Sequence, residues 1–250
     1  MLKNNLLLAA LLLIIAGCMP LPSIDDPDSD TDVPGQEDNY VYPTAYYPFE
    51  RSAEDASGNG YHGVLMGEPE FIADTPDGSS YALKLNGFKK QFVNIPYHIL
   101  GNKKQYTVLF WIKDFTQGVV FSSNDNSKSS LGYCTPRLRV TDSQQFEFFT
   151  NYDYYWNPVD FSFIYDCTSI MSSAWHHIAV TSDNGVNTIY VDGVRRDSME
   201  TFSKLSRGTK LYIGGNLDGL QDIFISMKID DFLIYDICFT EENVRTFYQN

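Results

Sequence analysis

Basic residues are scarce. Lys and Arg number 18 against 32 Asp and Glu, a formal charge of −14 at pH 7. Phosphate backbones are held by clustered cations, so this balance excludes nucleic acid as a partner. Cysteine is also rare, at four residues, and no Cys/His spacing of a zinc finger occurs. There is no P-loop, no strand–loop–helix dinucleotide fingerprint and no Gly-x-Ser-x-Gly elbow. Helical periodicity is scarce, and no repeat of fixed period appears. Leu6–Ile15 is an unbroken apolar run. It is too short to span about 30 Å of hydrocarbon as a permanent helix.

That run has a role of another kind. Lys3 precedes it and Ala16-Gly17-Cys18 follows, the pattern of a secretory signal. Ile15-Ala16-Gly17-Cys18 resembles the bacterial lipobox, which implies cleavage before Cys18 and lipidation of its thiol. Residues 1–17 are then the signal peptide. Residues 18–40 are a tether, rich in Pro, Ser and acids, that cannot bury enough apolar surface to order itself. Asp25, Asp26, Asp28, Asp30, Asp32, Glu37 and Asp38 lie there without a Lys or Arg, so they carry half the net charge. Acids just after a lipidated Cys also resemble surface-export signals of Bacteroidetes-type lipoproteins. The expected location is the outer membrane or cell surface, with membrane contact through the lipid anchor only.

Residues 41–250 suffice for one β-domain. Short apolar runs separated by turn signals predict a sandwich or barrel. Thr107–Lys113 is apolar on both faces, as a central strand is. His177–Thr181, Thr188–Val191, Lys210–Ile213 and Met227–Tyr235 read as further strands. So do Tyr46–Phe49, Ala82–Leu85, Phe92–Ile95, Val119–Phe121, Leu138–Val140, Phe146–Phe149 and Phe161–Tyr165. Asp192-Gly193 predicts a tight hairpin, because both central residues need positive φ. Thr240 caps the one helix, Glu241–Tyr248, which has acids in its first turn. Cys134 and Cys167 flank one loop-rich region and are the expected disulfide, with connectivity open. Cys238 reads as a small packed hydrophobe.

The order of motifs resembles a family. It runs Asp55-Ala56-Ser57-Gly58-Asn59-Gly60, Leu85-Asn86-Gly87, the strand around Trp111, and Trp175-His176-His177-Ile178-Ala179-Val180-Thr181. Then come Tyr190-Val191-Asp192-Gly193, Leu211-Tyr212-Ile213-Gly214-Gly215, Ile229–Tyr235 and a helix ending in Phe247-Tyr248. These are similar to a bacterial laminin-G-like domain of the concanavalin A-like lectin/glucanase superfamily. The resemblance implies an all-β fold, a two-sheet antiparallel jelly-roll sandwich with a short C-terminal helix. Residues 122–170, long and aromatic, depart from the pattern.

The resemblance also implies a structural Ca²⁺ shared by the early loop and the last strand, with Asp55, Asn59 and Asp230 as ligands. The alternative is an Asx-turn at Asp55 and a hydrogen-bonded Asp230. Asp231 points to the other face if its strand is regular. Asp153, Tyr154, Tyr155, Trp156 and Asn157 form an aromatic, turn-rich stretch suited to stacking a sugar and bonding its hydroxyls. The alternative is that its rings fill the core. His176 and His177 point to opposite faces of a strand and share no ligand. The Glu-x-Asp-x-x-Glu run of the superfamily's glucanases is absent, and no pair of carboxylates stands out as a retaining acid–nucleophile couple. The expected function is therefore non-catalytic carbohydrate binding, with a glycan or polysaccharide as partner. The alternatives are a protein-adhesion or assembly module beside other surface lipoproteins, and a diverged glycoside hydrolase.

Overall fold

The computed structural model describes residues 13–14, 40–78, 80–124, 136–151, 160–172, 174–200, 209–217 and 222–249. The chain divides into two compact units. In the first, residues 1–42 with Asn250, β1 (Leu13–Ile14) pairs antiparallel with β2 (Tyr40–Val41). The expected lipidation site Cys18 lies outside the described residues.

The second unit, Pro43–Gln249, carries two large sheets. Its strands are β3 (Ala45–Tyr47), β4 (Val64–Met66), β5 (Glu70–Ile72), β6 (Ala82–Leu85), β7 (Phe92–Ile95), β8 (Gln105–Lys113) and β9 (Gly118–Asn124). They continue with β10 (Arg137–Val140), β11 (Gln145–Asn151), β12 (Asp160–Asp166), β13 (His176–Asp183), β14 (Val186–Val191) and β15 (Val194–Glu200). The last are β16 (Lys210–Ile213), β17 (Gly215–Asn216), β18 (Ile223–Phe224) and β19 (Met227–Tyr235), followed by helix α1 (Glu241–Gln249). One sheet has seven strands in the order β12-β11-β10-β9-β16-β7-β4. The other has eight, β15-β14-β13-β8-β19-β6-β5, with β3 also pairing β19. All these pairs are antiparallel. The expected jelly-roll sandwich is the fold.

The core lies between the sheets. Phe110 of β8, Phe121 of β9 and Phe232 of β19 meet there, with ring centroids 5.6 Å apart for Phe110–Phe232 and 5.9 Å for Phe121–Phe232. Phe148 and Phe163 stack at 5.2 Å. Each such ring removed from water contributes about 1.5–3 kcal/mol. β8 is apolar on both faces for a local reason. Val108, Phe110 and Ile112 face the core, while Trp111 lies under α1, 5.8 Å from the Tyr248 ring.

Turns fix the register. The β14–β15 hairpin turns on Asp192 (φ 53°) and Gly193 (φ 72°), the two positive angles that its Asp-Gly signal predicts. Helix α1 is capped reciprocally: Asn243 N donates to Thr240 Oγ1 at 3.2 Å, and Thr240 N donates to Asn243 Oδ1 at 3.0 Å. At the margin, the edge strands β12 and β15 lie against each other, and Ile164 N of β12 donates to Asp197 Oδ2 of β15 at 3.2 Å.

Candidate functional site

The strand pairs β10–β9 and β10–β11 carry the site. Along β10, Leu138 and Val140 enter the core, so Arg137 and Arg139 stand on the opposite face. Across the β10–β11 turn, Phe146 and Phe148 enter the core, and Glu147 and Phe149 take the outer face. Register then sets Arg139 opposite Glu147 and Arg137 opposite Phe149. Arg139 Nε and Nη2 both donate to Glu147 Oε2, at 2.7 and 2.6 Å. The Phe149 ring lies beneath both guanidinium groups, 4.8 Å from that of Arg139 and 4.9 Å from that of Arg137. A charge-assisted pair on an aromatic floor is a rigid, oriented group.

That pair stands in a cleft of about 440 Å³. Gln117 and Gly118 of the β9 entry, Thr141, Asp142 and Ser143 of the turn, Gln145 of β11, and Ile223 and Phe224 of β18 complete its walls. Gly118 (φ 142°) permits the closest approach. A Cβ there would collide with Phe224 O and stand 2.8 Å from Ile225 Cα. Phe224 also packs on Phe92, at 5.6 Å, and Phe92 on Tyr212, at 5.8 Å, so an aromatic patch continues across the sheet from the cleft. Ser122 Oγ donates to Gly215 O at 3.0 Å, which ties the segment after β16 to the sheet.

Chemically the cleft offers amides, hydroxyls, two carboxylates, one guanidinium and one ring. Donors, acceptors and an apolar plane are what an oligosaccharide needs. Sequence reasoning missed these residues. The available signal was the alternation in Arg137-Leu138-Arg139-Val140 and Gln145-Phe146-Glu147-Phe148, which places polar groups at every second position of otherwise core strands.

The expected site residues fare differently. Asp153, Tyr154, Tyr155, Trp156 and Asn157 lie outside the described residues, between β11 and β12. Cys134 does too, while Cys167 is a free buried thiol whose Sγ donates to Gln144 O at 3.1 Å, and burial pushes it up to about 12. His177 is buried under α1, beside Trp111 and Phe247, and is structural. His176 Nδ1 instead meets Asp192 Oδ2 at 2.8 Å.

Two of the three expected cation ligands make hydrogen bonds in the early loop. Asp55 Oδ1 accepts from Tyr46 N and Ser57 N, and Oδ2 from Tyr61 N, each at 2.9 Å. That is the Asx-turn alternative, and these bonds hold the carboxyl below the usual carboxylate range against the opposing effect of its burial. Asn59 Nδ2 donates to Thr44 O at 3.1 Å. Asp230 differs. Burial first, then the like charges of Asp231, Glu50 and Asp77, push its carboxyl up to about 9, with Asp231 N donating to it at 3.0 Å. Asp231 itself does not turn to the far face, because β19 bulges there (φ 46°), and Tyr46 OH donates to it at 2.7 Å. Tyr46 thus ties the early loop to the last strand. Among the described residues, no three His, Cys, Asp or Glu side chains are grouped to hold a metal.

A family model named Laminin_G_3, described as concanavalin A-like lectin/glucanases superfamily, matches residues 87–245, more than half of the chain. No curated protein matches. Among solved structures, domain 4 of a GH43 extracellular arabinanase from Geobacillus stearothermophilus, in complex with arabinotriose, is similar over 84% of this chain and 99% of its own. Its identity is 20% and the TM-score 0.58. The botulinum neurotoxin serotype D ligand-binding domain, in complex with N-acetylneuraminic acid, is similar over 83% of this chain at 14% identity and TM-score 0.63. The binding domain of botulinum neurotoxin DC, in complex with rat synaptotagmin II, is similar over 83% at 14% identity and TM-score 0.60. This chain spans about half of each toxin domain. At these identities the likeness is one of fold, and the neighbours are mostly binding domains.

Proposed function

This chain belongs to the concanavalin A-like lectin/glucanases superfamily through its Laminin_G_3 region, and from that membership we propose that it is a non-catalytic carbohydrate-binding lipoprotein of the cell surface. The observation that carries the binding reading is the cleft on the outer face of the seven-stranded sheet, with the Arg139–Glu147 pair in its wall and the Phe224 ring at its side. Planar charged groups bond vicinal hydroxyls in pairs, and a ring packs on the C–H face of a sugar. Neighbours of the same fold hold arabinotriose and N-acetylneuraminic acid. The lipobox-like Ile15-Ala16-Gly17-Cys18 supports a lipid anchor and an outer-membrane or cell-surface location.

A structural Ca²⁺ belongs to the same proposal, with Asp55, Asn59 and Asp230 as its ligands. The like charges of Asp231, Glu50 and Asp77 around Asp230 support a cation there, and backbone carbonyls and water would supply the rest of the six to eight oxygens. A glycan array probed with the full chain tests the binding reading. The expected result is retention of a defined sugar set, reduced at least tenfold by Phe224→Ala. A chain that retains no sugar, or binding unaffected by Phe224→Ala, refutes it. Reducing-sugar release from a polysaccharide panel would replace it with the hydrolase reading.

A further inference from the structure

We infer that the cleft selects uncharged oligosaccharides and rejects acidic ones, with Glu147 and Asp142 as the residues that exclude them. The inference rests on the carbohydrate reading above and names its ligand class. The fold leaves this choice open, since one neighbour holds a neutral trisaccharide and another a sialic acid. The residues of the cleft decide it.

Among the described residues, Arg139 is the one cation of the cleft wall, which also carries two carboxylates, Glu147 and Asp142. Among the described residues, its Nε and Nη2 both donate to Glu147 Oε2. A free guanidinium is the usual fork for a sugar carboxylate. This one is already occupied by a carboxylate of the protein, held by register and seated on Phe149. A uronate entering the cleft meets Glu147 where it needs Arg139. It also meets Asp142, an exposed residue of the β10–β11 turn whose Oδ1 accepts only a long bond from Ser143 Oγ, 3.4 Å. The formal charge of −14 adds repulsion of the same sign. An uncharged sugar pays none of these costs. Its hydroxyls can donate to Glu147 and Asp142 and accept from Arg139, Gln117 and Gln145. In this arrangement the ion pair works as a composite reader of hydroxyl groups, and Glu147 keeps the guanidinium from accepting anions.

The test compares the full chain with Glu147→Gln and Asp142→Asn. The neutral probes are arabino-, xylo- and gluco-oligosaccharides. The acidic probes are oligogalacturonate and sialyl-lactose. Binding is measured by calorimetry at two salt concentrations. Wild type is expected to bind neutral probes at least tenfold tighter, about 1.4 kcal/mol. Each variant is expected to shift the acidic-to-neutral ratio at least fivefold toward acidic probes, more at low salt. Asp142→Asn lies on an exposed turn, so a folding defect in Glu147→Gln does not remove the test. Tighter binding of acidic probes by wild type, or ratios unmoved in Asp142→Asn, overturns the inference and leaves the carbohydrate reading standing. Binding of neither probe class overturns both.

Discussion

His177 makes the stability of this domain depend on pH in a calculable way. It is 1% exposed, in edge contact with Trp111 (centroids 5.2 Å apart, planes at 63°) and stacked on Phe247 at 5.8 Å. Neither ring nitrogen has a hydrogen-bond partner among the described residues. Burial pushes its pKa down to about 4, with the Asp192 charge opposing weakly. The ring is therefore neutral in the folded protein, while the unfolded chain titrates near 6.5. As pH falls through 6.5 the unfolded chain takes up a proton that the folded one refuses, so stability is full above 6.5 and is lost toward 4. The whole loss is about 3 kcal/mol, and about 2 kcal/mol of it is spent by pH 5. This is a large share of the roughly 5–15 kcal/mol that holds a domain together. The perturbation is His177→Phe, which keeps a ring in the aromatic pocket and removes the titration. Urea unfolding of both proteins at pH 7 and pH 5 gives two differences in stability. Carboxylates that titrate in the same range, such as Asp231, whose pKa burial pushes up to about 6, cancel between them. Wild type should lose about 2 kcal/mol more than His177→Phe between these pH values. Equal losses, within about 0.5 kcal/mol, would refute the argument and mean that the buried imidazole finds a partner or accepts a proton in place.

Further expectations concern separate places in the molecule. Ca²⁺ should raise the melting temperature and EDTA lower it, and Asp230→Asn should abolish both responses; indifference to both additions, with Asp230→Asn more stable than wild type at pH 7, would mean that a proton and not a cation relieves this carboxylate. Gly118→Ala should cost about 1–3 kcal/mol, because its Cβ would press on the Phe224 carbonyl and on Cα and Cβ of Ile225 at a positive φ, and should weaken sugar binding as well; calorimetric unfolding and binding titration read the two effects. Phe88, 96% exposed on its short turn, should accept Ser with a change under about 0.5 kcal/mol in urea unfolding.

The strands that sequence reading recovers are those whose environment is set by one face or two. β8 read as central because Trp111 needs cover as much as Phe110 does, and α1 supplies it. The Asp192-Gly193 turn was legible because few residues accept two consecutive positive φ angles. β15 was not legible: Val194–Glu200 is an edge strand with little buried on either side, so it has no alternation to detect. β4 and β5 are three residues each and are separated by Gly67-Glu68-Pro69, which reads as a loop. For the Asp55 loop both readings were visible, but the bonds that Tyr46 N and Tyr61 N make to Asp55 depend on where those amides point, which spacing does not encode. The cleft was hidden for a related reason. Arg139 and Glu147 are near in sequence, but Phe224 reaches them only through the pairing of distant strands.

The bond from Ile164 N to Asp197 bears on how copies of this protein behave at high local concentration. An unpaired row of amides on an outermost strand is a template on which another polypeptide can extend the sheet. Here the two outermost strands of the stacked layers shield one another, and a carboxylate claims one of the open donors. A charge in that place repels an incoming backbone carbonyl and has no counterpart to offer it. Growth by strand addition is thereby discouraged along this side, which keeps crowded copies from polymerising through their own margins.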